Sequence, residues 1–489
     1  MITMSVERER RRGYRGGVKL YLGLLIVIFY AALGTYSMFA GYRTSVGLEW
    51  EADALAQPAW VALLLDPEIP RTVEASLSGW QLFQGGLERS RLIEGNGIVS
   101  IVIQTPGSVS LVSEYIDYPY KPARSMVITY GFKVFSEGSA KYRIQLYLVS
   151  DKLLGREKVV EQGGVREKIK AGIYMVFRAD DTLPSGGNRS FVSSIRLPYP
   201  YLNRIQDPPI PIFVNPVSEL LLEPGTRLRA MINISYECLG DSCRGVTIQV
   251  EPVGIKILGR AHGLMGTDSR GIDIWRQFIE GARVANFFGL TASLLTVGIA
   301  VTIGSIAGLR AGRFSDQVIT LLTDMIFFIP AVPLIMITVA LLGRSMPVIY
   351  GIIVLVSWPG LARLVRSWAI TIRSEPYVES AVALGAGKLW ILRRHIMPRL
   401  APLAIYGLVS LVPGVIATEI LIQFIGFGDP NIPSWGRMLN EAYNEGALVN
   451  GAWWWLFAPI AGITSYMAGF VLIGMALEER LNPKLLISR

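Results

Sequence analysis

Residues Glu379 to Pro398 read ESAVALGAGKLWILRRHIMP, a polar segment set between two long apolar runs. Lys388, Arg393, Arg394 and Arg399 make it basic, and short basic loops stay on the cytoplasmic side of a membrane. Tyr377 to Ala386 is predicted to form a short helix. Pro376 precedes it, where a missing N–H costs little, and Gly385 and Gly387 suit its end because glycine accepts the left-handed conformation. A second helical turn is expected over Leu389 to Ile396, and Pro398 then opens the next apolar run.

Outward from this loop the chain is a membrane protein with a sizeable soluble part. Its 489 residues are 51% hydrophobic and 17% charged, with a mean hydropathy of +0.41, too apolar for an ordinary soluble protein. Arg8, Arg10, Arg11, Arg12, Arg15 and Lys19 precede an apolar run over residues 20–42. That run exceeds the short core of a signal peptide and is long enough to cross about 30 Å of hydrocarbon, so an uncleaved first helix is expected, with residues 1–19 as a cytoplasmic basic N-terminus. Five more apolar runs cover 284–309, 317–343, 346–370, 401–426 and 453–477. Alternating them from the first helix puts RAGRFSDQ (310–317), the Glu379 loop (373–400) and the tail EERLNPKLLISR (478–489) inside, and 343–346 and 427–452 outside. The basic residues mostly follow. The expected fold is thus a six-helix polytopic membrane protein with both termini cytoplasmic.

Between the first two runs the pattern changes from long apolar stretches to period two. IVSIVIQT (98–105), SLVSEYI (110–116), MVITYGFKV (126–134), YRIQLYLV (142–149), GIYMVF (172–177), RLRAMINIS (227–235) and VTIQVEPVGIKI (246–257) are separated by turn-prone text. This predicts an inserted all-β, sandwich-like domain over 43–259, large enough to bury its own core and placed outside by the topology. Asn188-Arg-Ser and Asn233-Ile-Ser are sequons within it, candidate glycosylation sites in an exported domain. Cys238 and Cys243 flank a Gly-Asp turn and are expected to form a disulfide in an oxidising compartment.

Several chemistries are excluded. Two cysteines with four residues between them are too few for a zinc site, and neither histidine lies in H-E-x-x-H. The nearest approach to a phosphate loop, Val382 to Leu389, has Val for the first Gly and Leu for Ser/Thr, so no ATP hydrolysis is expected of this chain. No metal site is expected: His262 has no partner visible in sequence. The net charge of +9 flanks apolar runs and reflects topology, and no nucleic-acid motif accompanies it. No nucleophile–base constellation is present, and the chain is not expected to be an enzyme.

Glu379, Ala381, Gly385, Met397 and Pro398 resemble the cytoplasmic coupling loop of permease subunits of binding-protein-dependent ABC importers. Ser380 stands for a usual Ala and Met397 for a usual Leu. His395, three before the proline, resembles the dipeptide/oligopeptide branch. Gly266, Thr267, Asp268, Gly271, Asp273, Arg276, Gly281, Ala282 and Arg283 resemble the G-T-D-x-x-G-R-D…G-A-R segment before the second helix of such permeases, with Ile272 where the pattern has Arg; His262 also matches a common family histidine. Asp324 ahead of Pro330, Glu419 with Gly426 and Gly428 in EILIQFIGFG, and Pro433, Ser434, Trp435 and Gly436 in GDPNIPSWGRML match further motifs. Asp324 and Glu419 are read as helix-end or inter-helix hydrogen-bonding groups in preference to substrate contacts.

The resemblance covers 259–484 and the first helix, not the β insert. It implies the second permease of a pair, with the type I importer fold over helices 2–6. The implied partners are a second permease subunit in a heterodimer, two ATP-binding subunits that hold ATP and Mg, an extracytoplasmic substrate-binding protein, and membrane lipid. Tyr377, Glu379, Ser380, Ala381, Gly385, His395 and Pro398 would couple to the ATPases. Cargo in this branch is peptides, with oligosaccharides or nickel in some relatives. The alternative is a membrane-anchored receptor or sensor with the β domain as ligand module, for which nothing requires Glu379 to Pro398.

Overall fold

The computed structural model describes residues 2–40, 51–65, 69–84, 90–95, 98–152, 157–162, 165–170, 173–197, 215–221, 223–239 and 245–481. It comprises two compact units: Leu48–Asp273, and Met1–Gly47 together with Ile274–Arg489.

Helix α1 (Ile2–Phe39) opens the helical unit, and its membrane-compatible part is Gly17–Phe39. The β unit follows in sequence. It holds the short helix α2 (Ala59–Leu65), then β1 (Val73–Leu77), β2 (Gln81–Gln84), β3 (Ser90–Gly95), β4 (Ile98–Ile103), β5 (Gly107–Val112) and β6 (Ile116–Tyr118). The long strands β7 (Ser125–Ser136) and β8 (Ala140–Ser150) come next, then the separate hairpin β9 (Glu157–Gln162) and β10 (Val165–Lys170). β11 (Ile173–Leu183), β12 (Asn188–Leu197), the turn α3 (Pro216–Leu220), β13 (Thr226–Cys238), β14 (Val246–Val250) and β15 (Val253–Leu258) complete it.

Two antiparallel sheets share one apolar core, and each is built on one long strand. In the first, β7 pairs with β12 along one edge and with β15 and β14 end to end along the other. In the second, β13 pairs with β8 on one side and with β6 and β5 on the other. Alternate residues turn inward, as the two-residue period dictates. Met126, Ile128, Tyr130, Phe132 and Val134 of β7 pack with Tyr142, Ile144, Leu146 and Leu148 of β8 and with Leu228, Ala230, Ile232 and Ile234 of β13. The run expected as one strand over 246–257 is two strands, because Pro252 has no N–H to give the ladder. β12 pairs on one side only, and it breaks strict alternation: Val192 is 65% exposed, and Ser193, two residues from both core-packed Phe191 and Ile195, is exposed too, so the pattern does not reveal it in sequence.

The boundary expected at Gly259 falls at Asp273. Residues 260–273 belong with the β unit because they bond to its beginning. Thr267 Oγ1 accepts the Ala56 N–H at 2.8 Å and donates to the Asp53 carbonyl at 2.7 Å. Gln57 and Arg71 each bridge to Ala261.

The helical unit resumes with α4 (Ile274–Leu309), α5 (Phe314–Phe327), α6 (Ala331–Leu342) and α7 (Met346–Arg373). The short α8 (Pro376–Ala383) and α9 (Lys388–Ile391) lead through a π-helical turn at Leu392–Ile396 into α10 (Met397–Phe424), followed by α11 (Trp435–Asn444) and α12 (Trp453–Leu481). Among the described residues, five helices are long and apolar enough to cross a membrane, or six if α5 and α6 count as one broken span. The run 317–343 is therefore not the single helix expected of it: α5 and α6 meet at 77° across Phe328–Pro330. Pro330 lacks an N–H for a continuing helix, and Ile329 before it is steered away from helical angles. Prolines inside α7, α10 and α12 do not break those helices. The break at Pro330 also has the last turn of α5 tied sideways: Asp324 pairs with Arg363 of α7 at 2.8 Å, and that guanidinium lies 3.9 Å above the Phe327 ring. The stretch 427–452, expected as an outer loop, contains α11, capped by Ser434, whose hydroxyl accepts the Arg437 N–H.

Candidate coupling segment and its anchors

Helix α8 begins with Pro376 at its first position and ends in a paired turn. Gly385 N–H donates to Val382 O and Ala386 N–H to Ala381 O, both at 3.0 Å, with Gly385 at φ +85°. This is the left-handed glycine stop that closes the last carbonyls of a helix. Gly387, expected to share that role, sits at φ −67° and opens α9 instead. Glu379 lies in the first turn of α8, where the helix dipole favours a carboxylate. It is exposed and, among the described residues, makes no ion pair.

One side of α8 is fastened down. Val378 is fully buried with Val301, Trp358, Val365, Ile391 and Ile396. His395, on the π turn, lies between two rings, with centroids 5.4 Å from Tyr377 and 5.0 Å from Trp390. The Arg399 guanidinium covers Tyr377 at 4.7 Å. The extra residue of a π turn thus sets His395 between the two short helices, and Pro398 follows in the first turn of α10. The other side is open. Ser380 is exposed, and Val382, Leu384, Leu389 and Trp390 are 54%, 89%, 67% and 51% exposed. The segment from α8 to α9 thus presents exposed apolar side chains beside Glu379.

Trp435 is among the largest fully buried side chains of the helical unit. It is 1% exposed, and its indole N–H donates to the Phe278 carbonyl at 2.9 Å. Tyr30, Phe278 and Tyr466 surround it at ring distances of 5.5 to 6.0 Å. Gly281 leaves the space it fills: a Cβ there would stand 2.3 Å from the indole. Gly436 and Gly428 likewise lie against Ile420 and Gln423, and Gly426 turns the chain at φ +84°. Pro433 leads into the Ser434 cap. Arg283 pairs with the buried Glu280 at 2.6 Å, and Glu280 also accepts from Ser37 of α1 at 2.7 Å. Glu419 is buried, with Ser434 and Gln423 as its polar neighbours. The sequence did not reveal a second ion pair between α5 and α7: Asp316 takes two bonds from Arg366, at 2.8 and 2.7 Å. Its residues lie fifty positions apart, so no local pattern shows it.

In the β unit, Gly266 and Gly271 take φ +69° and +83°. Asp268, fully buried, accepts the N–H groups of Arg270 and Ile272 at 2.9 Å each. His262 gains partners that its sequence neighbours do not supply: Glu51 at 3.3 Å and Asp273 at 3.7 Å. Hydrogen bonding to Asp273 and then to Glu51 pushes its imidazole up to about 9, against the effect of burial; Glu51 is the nearer, and the two carboxylates act together. Asn188 is exposed at the start of β12, while Asn233 lies mid-strand in β13 with its amide oxygen buried. Cys243, and so the expected disulfide, lies outside the described residues.

Residues 300–487 match the family described as binding-protein-dependent transport system inner membrane component, wholly within the helical unit. The chain is 30% identical over 221 residues to the dipeptide transport system permease protein DppC of Bacillus subtilis, covering 45% of this chain and 68% of that one. It is 31% identical to the oligopeptide transport system permease protein OppC of the same organism, covering 45% and 71%. It is 33% identical to the glutathione transport system permease protein GsiD of Pectobacterium atrosepticum, covering 46% and 73%. With these matches on a bundle of apolar helices, a braced helix at Pro376–Ala383 and a separate β-rich unit, the chain belongs to the inner-membrane permease subunits of binding-protein-dependent ABC importers, of the dipeptide and oligopeptide type.

Proposed function

We propose that the chain moves peptides across the cell membrane by alternating access, paired with a second permease subunit and driven by two separate ATP-binding subunits. The observation that carries this is α8: anchored by Val378 and His395 on one side, apolar and exposed on the other. A rigid element of that kind passes motion between subunits without chemistry of its own. Both termini and α8 then lie inside, the β unit lies outside, and a substrate-binding protein delivers cargo there. Peptide is preferred to oligosaccharide because the relatives named above are peptide permeases. The test is uptake of labelled di- to hexapeptides by proteoliposomes holding the whole complex, binding protein included. ATP-dependent peptide accumulation is expected; accumulation of oligosaccharides alone overturns the cargo, and none of either overturns the reading.

Export of the β unit has its own check. Cys238 and Cys243 are expected to resist alkylation in cells until reduced. The loop they close is tiny, so its contribution to stability is about 2 kcal/mol or less. Free thiols at both positions would place the unit in a reducing compartment.

A further inference from the structure

We propose that Glu51, His262 and Asp273 form a binding site for one divalent transition-metal cation, which fastens together the two ends of the β unit. The unit runs from Leu48 to Asp273, so Glu51 enters it and Asp273 leaves it, while His262 lies on the closing segment. The site rests on the geometry of this unit alone and does not depend on the transport reading.

Three observations carry it. First, the ligand types are right: one imidazole nitrogen and two carboxylate oxygens suit zinc, cobalt, manganese or nickel, whereas calcium and magnesium favour all-oxygen shells. Second, the spacing is right. Nε2 of His262 stands 3.3 Å from Glu51 Oε2 and 3.7 Å from Asp273 Oδ2, and all three ligand atoms lie within 4.8 Å of one another. Tetrahedral bonds of about 2.1 Å put neighbouring ligands about 3.4 Å apart, so the cation enters with small side-chain shifts. Third, there is a way in. His262 and Gly263 line a cavity of about 290 Å³ with Arg71 and Thr72, and the three side chains are 16% to 25% exposed. Water can therefore complete the shell.

The physical gain follows from where the ligands come from. A bond between the first and last residues of a long segment removes more freedom from the unfolded chain than one between near neighbours. A proton and a cation compete for the same Nε2 of His262.

The test uses the full chain in detergent, stripped with EDTA, desalted and titrated with zinc sulfate or cobalt chloride. One zinc per chain is expected to survive gel filtration by elemental analysis. Cobalt is expected to give the visible absorption of a four- or five-coordinate site. Glu51→Gln and Asp273→Asn, close in size to the residues they replace, should each weaken binding by at least about tenfold, and zinc should raise the melting temperature of the wild type but not of the variants. Circular dichroism shows whether each variant keeps its sheets. Should a variant misfold, the wild-type cobalt spectrum and zinc stoichiometry decide by themselves. Wild-type chain that retains no zinc, or variants that bind like wild type, overturn the site and leave His262 as an ion pair only.

Discussion

Gly385→Leu is expected to lower binding-protein-stimulated ATP hydrolysis by the assembled transporter about tenfold, with the chain still inserted and the β unit still folded. Gly385 holds φ +85° and closes α8 through the Gly385–Val382 and Ala386–Ala381 bonds. A side chain in that conformation costs roughly 1–2 kcal/mol, and 1.4 kcal/mol is a factor of about ten. Within the chain the space around Gly385 is open, with nothing within 4 Å of a Cβ built there. Misfolding from a clash is therefore not the expected fault; the end of the lever is. Leu384 and Leu389 on the exposed side would shift with it. Glu379→Lys, on the same exposed surface, should act through the contact alone. ATPase activity of the reconstituted complex, with and without binding protein, is the measurement. Wild-type stimulation and uptake in both variants would remove α8 from the coupling path and return a receptor role to consideration.

Trp435→Ala should be the most damaging single change to the helical unit. It removes a buried indole, its bond to the Phe278 carbonyl and its contacts with Tyr30 and Tyr466. Truncating a buried aromatic of this size costs about 3–5 kcal/mol, and the Gly281 backbone has no side chain with which to fill the hole. Scanning fluorimetry of the detergent-purified chain should show a large fall in the melting temperature of the helical unit, and Trp435→Phe a smaller one. Gly281→Leu should destabilise from the other side, because the indole already occupies the space of its Cβ. An unchanged melting temperature in Trp435→Ala and Gly281→Leu would show that the motif serves something other than packing.

Much of the fold was readable from local pattern. Period-two runs located the long strands β7, β8 and β13, because each buries one face and alternation records that. Apolar length located the five helices that are long and apolar enough to cross a membrane, since a bilayer demands such length. Glycine and proline spacing located the short helix α8, because a helix start and stop are set by φ and by missing N–H groups at single positions. What local pattern did not contain lay in pairings across distance. Beside the break between α5 and α6, Asp324 pairs with Arg363 of α7, and the Asp316–Arg366 pair joins α5 to α7 as well. Residues 260–273 read as the approach to a membrane helix, yet Thr267 bonds them to Asp53 and Ala56. His262 looked solitary in sequence because Glu51 comes from the other end of the β unit and because Asp273, though in the same segment, meets it only once that segment folds. Periodicity and turn chemistry act over a few residues, so the sequence by itself determined the long strands, most of the long helices and the family. Which side chains meet across some two hundred residues is settled by packing, and only the tertiary structure decided it.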